Sequence, residues 1–318
     1  MMAGNISMMA AFAGRLEQLA KSDPEIRVLT ADLVGSCGLK EIERNHPGQF
    51  INVGIAEQNM VGIAAGLAHE GMRPYTYTFA AFHSMRSCEQ VRTDVFYNEL
   101  NVKVIGTHCG VSTGFAGSTH FALEDIGIIR SIPKSIVLVP ADPVSAEKTV
   151  DVAYGCEQGM YIRLDRNPLP AIYSPEESFA VGKAKVLKDG SDVVLFAIGA
   201  VVHSVLQAAE QIQKDTGKSV AVVDVYCVKP LDRDCILYYA RNCRLAVTVE
   251  EHELCGGLFG AVSECIVQEA PGHCLFPIAI REVYPHGNTV ERARELLGLD
   301  AGSIQKTVLD YMKQISLI

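Results

Sequence analysis

The chain has 318 residues, of which 48% are hydrophobic and 20% charged, and its formal net charge is -9. That is an ordinary globular balance, with room for about two domains and a sizeable core. Negative charge spread along the chain argues against nucleic-acid binding, which needs clustered Lys and Arg, and no apolar run reaches the roughly 20 residues that span a bilayer.

In chain order, Met1 to Ala13 is apolar but has no basic residue before Arg15 and runs into the helix-like Phe12 to Leu19. It reads as the first helix and not as a targeting segment. Ile26 to Thr30 and Phe50 to Val53 read as strands, the second leading into a helix of small residues from Glu57 to Glu70. Pro74 to Thr78 is a predicted strand and Ala80 to Tyr97 a predicted helix. Strand Val102 to Ile105, helix Leu123 to Ser131 and strand Ile136 to Val139 follow. Asp142 before Pro143 is a helix cap with proline at the first helical position, and Tyr161 to Leu164 is a strand. The proline-bearing stretch Asn167 to Phe179 lacks periodicity and reads as a linker. Beyond it the predicted strands are Asp192 to Ile198, Val220 to Val225, Leu245 to Glu250 and Phe276 to Ile280. The helices between them are Val201 to Thr216, Asp232 to Arg241 and Phe259 to Glu269, with one more at the C-terminus. This alternation predicts two α/β domains, over 1–170 and 184–318, each a sheet covered on both faces. The ten cysteines form no C-x-x-C pair, which predicts reduced thiols and a cytoplasmic protein.

Several side chains carry chemistry in this frame. Glu57 is a carboxylate where a strand gives way to a helix. Alone it is a helix-start glutamate stabilised by the dipole. Phe79 and Phe82 lie at a helix entry and could form an apolar wall for a planar ring. His108 and His120 flank a Gly- and Ser-rich loop of the kind that serves a site. Arg166 follows a strand, and arginine is the preferred bidentate partner of phosphate. Arg86 and Arg92 are six residues apart, off one helix face, and read as solvated or interfacial.

Gly54-Ile55-Ala56-Glu57-Gln58, followed by Gly62-Ile63-Ala64-Ala65-Gly66-Leu67-Ala68, resembles the pyrimidine-binding domain of the transketolase family, which includes deoxyxylulose-phosphate synthase. The resemblance continues through Thr30-Ala31-Asp32-Leu33 with Ser36, Thr78-Phe79 with Phe82, Thr107-His108, and Ser118-Thr119-His120. It ends with Asp165-Arg166-Asn167 and with Val249-Glu250-Glu251-His252 before Gly256-Gly257. It implies thiamine diphosphate as cofactor, with Glu57 sharing a proton with its aminopyrimidine ring and so promoting the tautomer that makes the cofactor reactive. It further implies Phe82, with Phe79, as the stacking wall, and Asp32 as a neighbour of the cofactor. His120 and His108 would handle substrate protons and line the channel, and Ser36 with Arg166 would hold an anionic end. Ala116 stands where family members carry an aspartate that reads a donor hydroxyl, which puts the usual donor preference in doubt.

The family's Gly-Asp-Gly segment with a following Asn, which holds the diphosphate and Mg²⁺, has no match here. The resemblance therefore implies the C-terminal subunit of a two-subunit transketolase, active only with an N-terminal partner and forming a heterotetramer. Two alternatives share the plan: the β subunit of a 2-oxo acid dehydrogenase, and a non-catalytic regulatory subunit.

Overall fold

The computed structural model describes residues 6–318; Met1 to Asn5, the start of the predicted first helix, lie outside the described residues. The first half runs β1 (Ile6–Ser7), α1 (Met8–Ala20), β2 (Ile26–Thr30), α2 (Lys40–Asn45), β3 (Phe50–Asn52), α3 (Glu57–His69) and β4 (Arg73–Phe79). Two π-helical segments, Phe82–Arg86 and Val91–Phe96, then flank a single turn, α4 (Cys88–Gln90). They lead to β5 (Lys103–Thr107), α5 (Asp125–Ser131), β6 (Ile136–Leu138), α6 (Pro143–Tyr154), β7 (Met160–Leu164) and β8 (Pro168–Leu169). The second half comprises β9 (Lys185–Lys188), β10 (Val193–Ala197), α7 (Val202–Thr216), β11 (Val220–Asp224), β12 (Cys227–Lys229) and α8 (Arg233–Asn242). It closes with β13 (Leu245–Glu253), α9 (Leu258–Glu269), β14 (Leu275–Ile280), α10 (Val290–Leu296) and α11 (Ala301–Gln314).

The helix signals act as their chemistry requires. The Asp142 carboxylate accepts the Ser145 N–H at 2.7 Å, while the Ser145 hydroxyl accepts the Asp142 N–H at 3.0 Å. This capping box starts α6. Ser7 caps α1 through the Ala10 N–H. The single C-terminal helix expected from the pattern is two, α10 and α11. Gly298 takes φ 73° between them, and Asp300 recaps the chain on Ser303 N–H.

Seven strands form the first sheet in the order β12-β6-β7-β5-β4-β2-β3, parallel except for β12. Its central strands β5 and β7 are buried at every residue, as parallel strands covered on both faces must be. The second sheet is β14-β13-β10-β11-β9, with β9 antiparallel at its edge. Because β12 comes from the second half and pairs with β6, the halves are stitched through one sheet. One apolar cluster also spans them, joining Leu29, Met60 and Val104 to Val194, Phe196 and Leu258. Among the described residues, no helix is long and apolar enough to cross a membrane.

In the first sheet β2 is flanked by β3 on one side and β4 on the other, so the strand order reverses there. In open parallel sheets the crevice beyond the carboxyl ends of such strands is where ligands bind. Asp32, Glu57, Phe79, His108 and Arg166 all follow or end strands at that edge.

Candidate active site

The edge is built from β2 outward. The Asn52 side-chain oxygen accepts the N–H of Asp32 and of Gly54, both at 3.1 Å. This ties the ends of β2 and β3 together and sets the turn that launches α3. Asp32 takes φ 60° and its side chain is exposed. Glu57 opens α3, yet it is only 6% exposed. It forms one wall of a cleft of about 430 Å³ lined by Ile55, Ala56, Gln58, Asn59 and Arg86.

The predicted helix after β4 is not regular. Ser84 and Ser87 hydroxyls bond back to the carbonyls of Ala80 and His83, and the Ser87 N–H reaches five residues back to Phe82. Such back-bonding competes with the α ladder, and π-turns recur at functional sites. Arg86, for which sequence spacing predicts a place in solvent or at an interface, lies on this turn. Arg86 Nη1 donates to Glu57 Oε1 at 2.7 Å, and its guanidinium lies 3.6 Å from the Phe82 ring centroid.

Four rings continue the wall. Phe82 stacks on Phe79 at 5.3 Å, and Phe79 on His108 at 4.0 Å. His120 meets Phe82 and Phe79 edge-on at 5.6 and 6.1 Å. His108 takes φ 58° and is 2% exposed, and its Nδ1 lies 3.0 Å from the Thr107 hydroxyl. Burial, then the charges of Arg166 and His120, push its pKa down to about 3, so this imidazole is a neutral hydrogen-bonding group.

Arg166 is exposed between two inward-facing neighbours. Asp165 is buried and accepts from Asn167 N–H at 2.6 Å and from Arg294 at 2.8 Å. Ser36 is exposed and makes no hydrogen bond to the cluster, although the adjacent Cys37 thiol lies 3.4 Å from the Thr107 hydroxyl. Ala116 is exposed on a 3₁₀ turn beside Phe115, which is 77% exposed.

The second half supports the His loop through contacts that no sequence signal identifies. Glu251 accepts the Val111 N–H at 2.8 Å and is ion-paired with Arg294, which also holds Asp165. Ser118 donates to the carbonyl of Pro285 at 2.6 Å. His252 accepts the N–H of Gly127 at 3.2 Å, and both oxygens of Glu250 cap α9 through Leu258 and Phe259. The motif Glu250-Glu251-His252 is visible in the sequence, but its partners are not. Nothing near Arg294 in the sequence singles it out.

Residues 4–171 match the family described as transketolase, pyrimidine binding domain, and residues 182–304 match transketolase, C-terminal domain. The chain is 35% identical over 321 residues to a subunit of the apulose-4-phosphate transketolase of Phocaeicola vulgatus, covering 98% of this chain and 100% of that one. It is 36% identical over 289 residues to the 6-deoxy-6-sulfo-D-fructose transketolase subunit SqwH of a Clostridium strain, covering 91% and 89%. A solved structure described as a split gene transketolase, inactive β4 tetramer, superposes with a TM-score of 0.87 at 35% identity over 96% and 98% of the two chains. The chain belongs to the transketolase family, as a pyrimidine-binding half joined to a C-terminal half.

Proposed function

We propose that this chain is the C-terminal subunit of a two-subunit transketolase that moves a two-carbon ketol unit between anionic sugars with thiamine diphosphate as cofactor. The observation that carries the reading is the pairing of Glu57 with Phe82 around a planar cation. The Arg86 guanidinium donates an N–H to the carboxylate while lying over the ring. An aminopyrimidine is likewise planar and nitrogen-rich, so the residues present fit the group. When bound, that cofactor supplies the carbanion chemistry of ketol transfer.

This chain's own side chains would then act as follows. Glu57 holds and shares a proton at the ring nitrogen. Phe82 and Phe79 exclude water from one face of the site. His120, half-buried at the edge of that wall, reaches substrate oxygens, and neutral His108 hydrogen-bonds without adding charge. Arg166, exposed near His108, takes the anionic end. The relatives named for apulose 4-phosphate and for a sulfonated fructose suggest a ketose bearing a phosphate or sulfonate. Exposed Phe115 and Ala116 leave the donor end without the family's carboxylate.

The names of these relatives as subunits support a partner chain, which on the family resemblance would hold diphosphate and Mg²⁺. The likeness to a tetramer described as inactive and built of β chains alone points the same way. Assembled with that partner, Glu57→Gln is expected to keep fold and association and to lose roughly 10²–10⁴-fold in ketol transfer. Turnover within a few-fold of wild type would sink the assignment.

A further inference from the structure

Resting on that reading of Glu57 and Phe82, we propose that Arg86 is the seat-holder of the pyrimidine site. Its guanidinium makes the two contacts that the aminopyrimidine would make, and it must swing out for the cofactor to enter.

Three observations converge. The Arg86 Nη1 to Glu57 Oε1 bond is 2.7 Å long and uses the carboxylate that opens α3. The same guanidinium sits 3.6 Å from the Phe82 ring centroid, within the range of cation–π contact. Glu57 and Arg86 together line the cleft of about 430 Å³ at the sheet edge. One planar group therefore satisfies carboxylate and ring at once, and a second planar N–H donor cannot occupy the same place. Phe82 and Arg86 stand four residues apart on a π-helical turn, which keeps ring and guanidinium side by side while the guanidinium reaches Glu57.

Arg86 is free to leave. Its side chain is about half exposed, at 50%, and an unbranched stem can carry the charge into water. While seated it keeps the buried Glu57 carboxylate paired, avoiding an uncompensated buried charge in the unloaded site. The consequence is thermodynamic. If the seat is open only in a minor fraction of molecules, apparent cofactor affinity is reduced by that fraction. A half-exposed ion pair and one cation–π contact together are worth a modest factor.

The test is calorimetric titration of the assembled two-subunit protein with thiamine diphosphate in Mg²⁺, accompanied by stopped-flow association. Arg86→Ala is expected to lower Kd about 5–30-fold and to raise the association rate. Arg86 is half exposed, so the variant keeps its fold, which the melting curve of the chain checks. An unchanged or raised Kd overturns the proposal, since Arg86 would then be neutral toward the bound cofactor or a support for it. Glu57→Ala is compared in the Arg86→Ala background, where no guanidinium competes. There it should weaken binding about tenfold or more. If it does not, the reading of Glu57 as a cofactor residue fails, whatever Arg86 does.

Discussion

At the residue scale, the contrast between Arg166 and Arg163 shows how burial separates roles. Arg163 is buried and donates to Asp125 at 2.8 Å, with Tyr161 on the same carboxylate oxygen at 2.7 Å. Such a pair is structural, because removing one partner leaves a buried charge. Arg166, three residues on, is exposed, and its charge is felt by His108. An arginine that grips an anion far from the reacting carbon mainly supplies binding common to ground and transition states. Arg166→Ala is therefore expected to raise KM for phosphorylated or sulfonated ketoses roughly 5–20-fold, with a smaller loss in kcat. Steady-state kinetics on paired anionic and neutral sugars checks this, and equal effects on both would show that Arg166 does not read the anion.

At the element scale, the loop that carries the histidines is shaped by what lies behind it. Gly110 takes φ 57°, and a Cβ there would come within 2.0 Å of the Glu251 carboxylate. Its backbone also pairs both ways with Ala122, so the segment cannot simply shift. Gly110→Ala is expected to cost roughly 2–5 kcal/mol, combining left-handed strain with loss of the Val111 N–H acceptor. Denaturant unfolding measures it. The control is Gly14→Ala in α1, where nothing lies within 4 Å of the added methyl. That exchange should stabilise by about 0.5–1 kcal/mol. Equal outcomes at the two positions would mean that Glu251 does not brace the loop. The Glu251 contact is not legible in the sequence, because it joins residues separated by 140 positions.

At the scale of the whole molecule, the segment between the halves is tied to both of them at Ile172 and Tyr173. Asp142, besides capping α6, accepts the N–H of Ile172 at 2.6 Å and of Tyr173 at 3.0 Å. The Tyr173 hydroxyl donates to Asp224 at 2.7 Å, at the end of β11. The stretch predicted as a linker is thus a strap across both sheets. Burial pushes the Asp224 carboxyl up to about 8. With an unfolded value near ~3.9, the folded chain holds a proton there that the unfolded chain lacks, so this residue's contribution falls as pH rises from about 4 to 8. The Tm of wild type minus that of Asp224→Asn should therefore decline between pH 5 and pH 8. A constant difference would show that Asp224 folds as the carboxylate.

The sequence by itself determined the alternation of strands and helices, the cap at Asp142, and a carboxylate at the strand-to-helix junction at Glu57. These are local signals: side-chain period, capping chemistry, proline and glycine placement. Short pieces such as β9 and β12 carry too few residues to show a period, so they surfaced only as sheet partners. Only the tertiary structure decided that Arg86 faces Glu57, because that contact joins residues 29 positions apart on separate elements. Only it decided that Glu251, Arg294 and Asp165 form one buried network, since charges far apart in sequence meet where two sheets pack. There, removal from water leaves each buried charge needing a partner.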